Sequence, residues 1–345
     1  MLPGDMTQDV DPREFVLVIG AGRSGTSLTA GVFHRLGFDV PQPEVEANKT
    51  NPRGFGEPRW VVNFHAKLMQ RYGVDLLDAR PAAWAAAARV LEEPVELGYC
   101  RTWTGWQFDG DGERVVVKDP RTGWFLPMWI GCTAELGIRP SFVSPLRHPS
   151  EVSASVRTTD RDKHTDATKV AWWINMMLHA EDQTRGQRRA YVLYDDLLSD
   201  WRSAVQRAER ALDVDLLEAA GPEGQRGVDD LVDPSLRRSP KGWDGLDVPS
   251  WLRDLAEATW DEMVGLSQDD GDGDKRRATL DGLRAEYVAR YAEAESVTES
   301  SINAAVRVAR DTLVGSEAGN QRPARSRLDV ARVRRAAARL VRGRR

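Results

Sequence analysis

Short, wholly apolar runs alternate with stretches of helical periodicity through much of the chain. Phe15 to Ile19 is apolar at every position, the mark of a strand buried on both faces. It breaks into a glycine-rich turn, Gly20 to Gly25. A helix follows with Leu28, Val32, Phe33 and Leu36 on one face, and Gly37 is placed to end it. A second apolar run, Val115 to Val117, ends at Lys118-Asp119-Pro120-Arg121, and helical spacing resumes from Phe125 to Leu136. A third strand is expected over Ser141 to Leu146, ending at Arg147, with Pro149 opening the next helix. A long helix is predicted over Ala167 to Thr184. A fourth strand, Tyr191 to Tyr194, then runs into Asp195-Asp196-Leu197. Strands alternating with helices of this length predict a parallel sheet covered on both faces, with ligands bound beyond the strand carboxyl ends. Asp269 to Asp274 reads as a loop. Thr279 to Leu313 reads as helical, with Leu280, Leu283, Tyr287 and Tyr291 on one stripe.

Composition narrows the classes. The 345 residues are 41% hydrophobic and 29% charged, which supports a folded core rather than disorder. The longest uncharged stretch, Thr122 to Ala134, is broken by Gly123, Pro127 and Gly131 and falls short of the roughly 20 apolar residues that a membrane span needs. Met1 to Pro12 shows no apolar leader, and Cys100 and Cys132 are too few for a disulfide framework, so a cytoplasmic protein is the expectation. Net charge is −5, unevenly spread: Ser316 to Arg345 carries ten arginines against Glu317 and Asp329, a net of +8 that leaves the rest at −13. A body so acidic argues against a nucleic-acid partner. The tail, with Leu328, Ala331, Ala338 and Val341 as a weak apolar face over Arg327 to Arg345, suits an anionic membrane surface, an acidic partner or a plain solvated end. The five histidines, His34, His65, His148, His164 and His179, show no metal-ligand spacing, and no metal is expected. Trp84, Trp103, Trp106 and Trp243 are read in irregular regions, where rings can stack on an acceptor or fill core and rim.

The turn Gly20-Ala21-Gly22-Arg23-Ser24-Gly25-Thr26-Ser27 aims backbone N–H groups at one anion. Its bland reading is a tight connection with no ligand. Gly20, Gly22 and Gly25 spell a dinucleotide fingerprint, and Glu44 and Glu46 lie at about the distance of its acidic partner. Pro41 and Pro43 stand where that fold needs a central strand, so the dinucleotide reading fails. Read as a Walker loop, the turn has Thr26 in the lysine position and its cation at Arg23 instead. The turn thus suits a phosphate-like anion other than the triphosphate of ATP or GTP.

Arg23-Ser24-Gly25-Thr26-Ser27 after a buried strand resembles the 5′-phosphosulfate loop of the sulfotransferases that use 3′-phosphoadenosine 5′-phosphosulfate (PAPS). Arg147-His148-Pro149-Ser150-Glu151-Val152-Ser153-Ala154-Ser155 resembles that family's 3′-phosphate signature, in which an arginine at a strand end and a serine eight residues later hold the phosphate. Tyr194-Asp195-Asp196-Leu197 is similar to the family's turn whose tyrosine lies near the adenine. Asn51-Pro52-Arg53-Gly54-Phe55-Gly56-Glu57 and Lys118-Asp119-Pro120-Arg121 look like segments of bacterial members and of the tyrosylprotein branch. The matches stand in the family's order over about Phe15 to Trp201.

The resemblance implies an α/β, three-layer P-loop-like fold with a central parallel sheet and a helical C-terminal extension. The divisions expected are 1–268 for the sulfotransferase domain, 276–314 for the extension and 316–345 for the arginine-rich tail. It implies PAPS as donor substrate, bound by Gly22, Arg23, Ser24, Gly25, Thr26, Ser27, Arg147, Ser155 and Tyr194. Arg23 and Lys118 would serve as catalytic cations and Glu57 as general base. Glu44, Glu46 and His65 are alternative bases, because Pro120 stands where the cytosolic branch has its histidine. Arg237, Arg238 and Lys241 are weaker candidates for the nucleotide. The acceptor is expected to be a small molecule, glycolipid or carbohydrate bound by loops at Asp78 to Asp111 and Thr158 to Thr168. Alanine- and arginine-rich composition points to a high-GC bacterial source. The rival readings are a nucleotide-dependent kinase and a non-catalytic protein that assembles through its basic tail.

Overall fold

The computed structural model describes residues 13–46, 54, 56–109, 113–157, 164–233, 235, 241–268 and 271–318. Four strands form one parallel sheet: β1 (Glu14–Val18), β2 (Arg114–Lys118), β3 (Pro140–Leu146) and β4 (Arg188–Leu193). Their spatial order is β2-β1-β3-β4. Phe15 pairs with Val115 on one side and with Pro140 on the other, which makes β1 central. The chain leaves β1 first toward β2 and then crosses to β3 on the opposite side. That reversal opens a crevice at the carboxyl ends of β1 and β3, the place where open sheets of this kind bind ligands.

Alternation along β1 divides the core. Val16 and Val18 face one side, in a cluster with Phe33 of α1 (Thr26–Arg35), Leu36 just after it, Val116, Val143 and Leu212. Phe15 faces the other, its ring 6.0 Å from Trp129 on α5 (Leu126–Glu135). With α2 (Arg59–Tyr72), α6 (Pro149–Arg157) and α7 (Asp166–Gln183), these helices build three layers about the sheet, the α/β fold that the sequence predicts. The segment Asp39 to Pro43 makes only an isolated bridge, Asp39 to Val115, where the dinucleotide fold requires a strand.

Several stretches differ from the sequence expectation. The expected acceptor loop at Asp78 to Asp111 is mostly helical: α3 (Ala82–Ala88), a 3-10 turn (Arg89–Glu92) and α4 (Pro94–Trp106). Trp84, Trp103 and Trp106 therefore sit on helices. Trp84 stacks on Trp124 and His179, and Trp103 on Trp60. β4 begins at Arg188, earlier than expected, because Arg189 is buried against Glu181 and Asp272 and its charge is met inside the fold. Tyr194 starts a short helix, α8 (Tyr194–Ser199), instead of ending the strand. Beyond it lie α9 (Trp201–Leu212), α10 (Leu217–Leu231, kinked at Gly221) and α11 (Ser250–Leu266).

The last helix, α12, runs from Asp274 to Ala318. By contacts the chain divides into Met1–Tyr287 and Val288–Arg345. The first turns of α12 belong to the former: Leu280 and Tyr287 are buried, and the Tyr287 hydroxyl donates to the Ala79 carbonyl at 2.5 Å. No helix among the described residues is long and apolar enough to cross a membrane. The tail from 319 on lies outside the described residues.

Candidate functional site

The turn after β1 is shaped by backbone conformations that few residues adopt. Gly20 and Gly25 have φ of 98° and 99°, and between them Arg23, a non-glycine residue, has φ of 70°. Such a residue stores strain on the order of 1–3 kcal/mol, which the surrounding contacts must hold. At Gly25 a side chain is excluded twice over. Its φ is left-handed, and a Cβ there would lie 2.4 Å from the Tyr194 ring. Gly25 precedes α1, whose N-terminus has no side-chain cap, so its first amides face the turn. Within the turn Gly22 is half-buried and Thr26 is buried. Ser24 is wholly buried, and its Oγ has no hydrogen-bond partner.

Arg147 follows β3 across the crevice. Its Nη1 donates to the Arg23 carbonyl at 3.3 Å, and its Nε faces Glu151 at 3.4 Å. The guanidinium lies over the Tyr194 ring, 4.7 Å from the centroid. Its Nη2 is buried and unpartnered. A buried charged donor without an acceptor costs about 1–3 kcal/mol or more, so this nitrogen marks a place shaped for an anion. Ser155, one turn along α6 from Glu151, accepts from Arg23 Nε at 3.1 Å. Arg23 and Gly25 of the turn, Arg147 after β3, Ser155 of α6 and Tyr194 after β4 are thereby brought together. Tyr194 does so as a platform beneath Arg147 and a wall against Gly25. Glu151, the counter-charge of Arg147, was not singled out from sequence, although its i,i+4 spacing on a helix carries that signal.

The other flank of the turn holds Lys118 at the end of β2. The residue is 2% exposed. Its Nζ donates to Glu57 Oε1 at 2.5 Å and to Ser27 Oγ at 3.1 Å. Glu57, itself buried, stands just ahead of α2, and the two expected catalytic groups meet directly. The ion pair is with Glu57 and not with neighbouring Asp119. Asp119 instead accepts from His65 Nδ1–H at 2.8 Å, from Arg121 Nη1 at 2.7 Å and from the Arg121 amide at 3.2 Å. Burial would raise its pKa, but the His65 hydrogen bond and the Arg121 charge outweigh that and hold the carboxyl below its ordinary value.

His65 also accepts from Trp129 Nε1–H at 3.0 Å through Nε2. With both nitrogens engaged and no exposure, its ring is core architecture, and the expectation of a base there is corrected. Glu44 accepts from Gln42 and Glu46 from Arg59 on the exposed lead-in to α2. Asn51, Pro52, Arg53, Phe55, Arg237 and Arg238 lie outside the described residues. Among the described residues no three His, Cys, Asp or Glu side chains gather to hold a metal.

Two groups of side chains thus flank the turn after β1: Arg147 with Arg23, Ser155 and Tyr194, and Lys118 with Glu57 and Ser27. No known family's sequence model matches the chain, and no curated protein matches it. Among solved structures the chain is similar to the sulfotransferase domain of the Synechococcus PCC 7002 olefin synthase. There the identity is 17%, with 74% of this chain and 95% of that chain covered and a TM-score of 0.45. It is also similar to the sulfotransferase domain of the curacin biosynthetic pathway, at 13% identity, covering 73% of this chain and 98% of that chain, with a TM-score of 0.40.

Proposed function

We propose that this chain is a PAPS-dependent sulfotransferase, moving a sulfuryl group to a hydroxyl or amine of a small-molecule, glycolipid or carbohydrate acceptor. The observation that carries the reading is the unpartnered Arg147 Nη2, buried at the switch point of the sheet, on an arginine bonded to Arg23, which in turn bonds Ser155. A mononucleotide with a single phosphate would use only the turn. A second phosphate, on the ribose 3′ position, gives Arg147 a partner.

The donor, when bound, supplies the sulfuryl group and a phosphate leaving group. What the protein supplies is position and charge, since loose, in-line transfer leaves little covalent work for side chains. Gly22 to Ser27 cradle the 5′ anion with backbone amides and the N-terminus of α1. Arg23 and Lys118 place positive charge where the leaving oxygens gain negative charge. Ser27 and Glu57 hold the Lys118 ammonium at the strand end. Glu57 is the group that takes the acceptor's proton, and Lys118 stabilises the carboxylate until it does so. A kinase reading lacks support on the same geometry. Thr26 stands in the lysine position, and Asp119, the acid at a neighbouring strand end, is fully engaged by His65 and Arg121.

Calorimetric titration with adenosine 3′,5′-bisphosphate, adenosine 5′-phosphate, ATP with magnesium and NAD tests the reading. The bisphosphate is expected to bind most tightly of the four. Binding of ATP or NAD without the bisphosphate would return the turn to its rivals.

A further inference from the structure

The turn after β2 ends at Trp124 and Phe125, and both line a cavity of about 230 Å³ whose other walls come from α3, α5 and α7. Trp84, Ala88, Met128 and His179 also face it. The cavity lies apart from the crevice at the strand ends. On α7 the helix meets the glycine-rich turn through Trp172, which packs against Gly22. His179 stands seven residues further on, about 10 Å along the helix axis.

Three rings of the wall form one stack. Trp84 lies 3.8 Å from Trp124 and 3.4 Å from His179, centroid to centroid, with interplanar angles of 26° and 12°. Trp84 Nε1–H donates to Asn175 Oδ1 at 2.8 Å, and Asn175 Nδ2 donates to the carbonyls of Asp78 and Arg80. The stack is thereby fixed to α7 with no ligand bound. Burial, with a smaller contribution from the Arg284 charge, pushes the His179 pKa down to about 3. Its imidazole is therefore a neutral ring with one donor and one acceptor nitrogen. Trp124 is 2% exposed, and its Nε1–H has no partner. Such a donor has given up its bond to water without a replacement, which few buried polar groups do.

Size and chemistry narrow the occupant. An apolar cavity of about 150 Å³ takes benzene, and drug-sized ligands need roughly 300–1,000 Å³. The volume here falls between these and fits a molecule of two fused rings. No lining residue is ionised, so a charged ligand would find no counter-charge. We propose that this cavity is a binding site separate from the crevice, for a neutral planar heteroaromatic of two fused rings whose acceptor atom takes the Trp124 Nε1–H bond. The inference does not rest on the nucleotide reading.

The probe is quinoline, which is flat, uncharged at neutral pH and carries an acceptor nitrogen. The comparison is 2-decalone, a saturated ketone of similar size that also carries an acceptor. Calorimetry on the full chain should show one quinoline site, with 2-decalone about tenfold weaker because it cannot stack. Ala88→Leu fills the cavity from an exposed position on α3 and should weaken quinoline about tenfold. Trp124→Phe keeps a ring and removes the N–H. It should weaken quinoline about fivefold relative to indene, a bicycle with no acceptor. Absence of saturable quinoline binding to the wild type, equal affinity for 2-decalone, or full quinoline affinity in Ala88→Leu would each overturn the inference. Equal losses of quinoline and indene in Trp124→Phe would overturn the role given to its N–H. Displacement of quinoline by adenosine 3′,5′-bisphosphate would place the ring in the crevice and overturn a separate site. Should Ala88→Leu fail to fold, nuclear Overhauser contacts between quinoline and the His179 ring protons in the wild type locate the ligand. Their presence supports the site and their absence overturns it.

Discussion

Asp119 and Arg147 are near mirror images in this sheet. Each follows a strand that flanks β1, each is buried, and each carries a full charge. Asp119 is saturated by His65 and by the side chain and amide of Arg121. Arg147 meets Glu151 and the Arg23 carbonyl and still has one buried nitrogen without a partner. A buried charge whose every hydrogen bond is made inside the protein is architecture. One with donors still unpartnered has room for a further acceptor, and here those donors belong to the residue that bonds the Arg23 carbonyl in the turn after β1.

The sharpest way to break this contrast is to remove Asp119. Asp119→Ala leaves Arg121 and the His65 Nδ1–H without their acceptor, and the expected loss is about 3–5 kcal/mol of stability, read from denaturant midpoints. The same carboxyl gives a pH signature. Its folded pKa is depressed, so its contribution is complete above the unfolded value of about 3.9 and is lost as pH falls through the folded value. Asp119→Asn should therefore flatten the acid limb of the stability profile, and an unchanged limb would show that the pair with His65 contributes nothing.

Next in size is Glu57→Gln, which keeps an oxygen for Lys118 and removes the carboxylate proposed as the base. Donor consumption in the presence of an active acceptor should slow about 10²–10⁴-fold, with bisphosphate affinity near that of the wild type. A loss confined to affinity would assign Glu57 to binding instead. Gly25→Ala should then cost about 1–3 kcal/mol and weaken every phosphate ligand alike, because the Cβ meets Tyr194 and the left-handed backbone resists it. The smallest effect is expected from Glu46→Gln. Its carboxylate pairs with Arg59 on the surface, and neither stability nor transfer should move beyond error.

The parts legible in the sequence are those written in local pattern. β1 and β2 are built on runs, Phe15 to Ile19 and Val115 to Val117, whose lack of any polar position leaves burial on both faces as the reading, and β3 interrupts its run only with the small Ser141 and Ser144. Lys118 and Arg147 at the ends of those runs, and Arg23 in the turn after β1, were readable as candidates because a parallel sheet directs its strand ends to one edge. Ala82 to Trp106 was not legible as helix, since Pro94 and the glycines at 98 and 105 break the pattern that tertiary packing restores. Nor was the fate of His65. Its two partners, Asp119 and Trp129, are more than fifty positions away, and only the fold turns a candidate base into a core residue. His148 is of the same kind, bonded to Ser150, two residues off, and to Glu257, 109 positions distant.

The central claim is that Arg147 is poised for a second phosphate. Arg147→Lys keeps a charge beside Glu151 but removes the planar fork whose Nη2 stands unpartnered. Titrating wild type and variant with adenosine 3′,5′-bisphosphate, with adenosine 5′-phosphate as the internal reference, tests it most directly. The account predicts that the variant loses the wild type's preference for the bisphosphate by about tenfold or more while its affinity for the 5′-phosphate holds. A preference that survives the substitution, or that the wild type never shows, would contradict it.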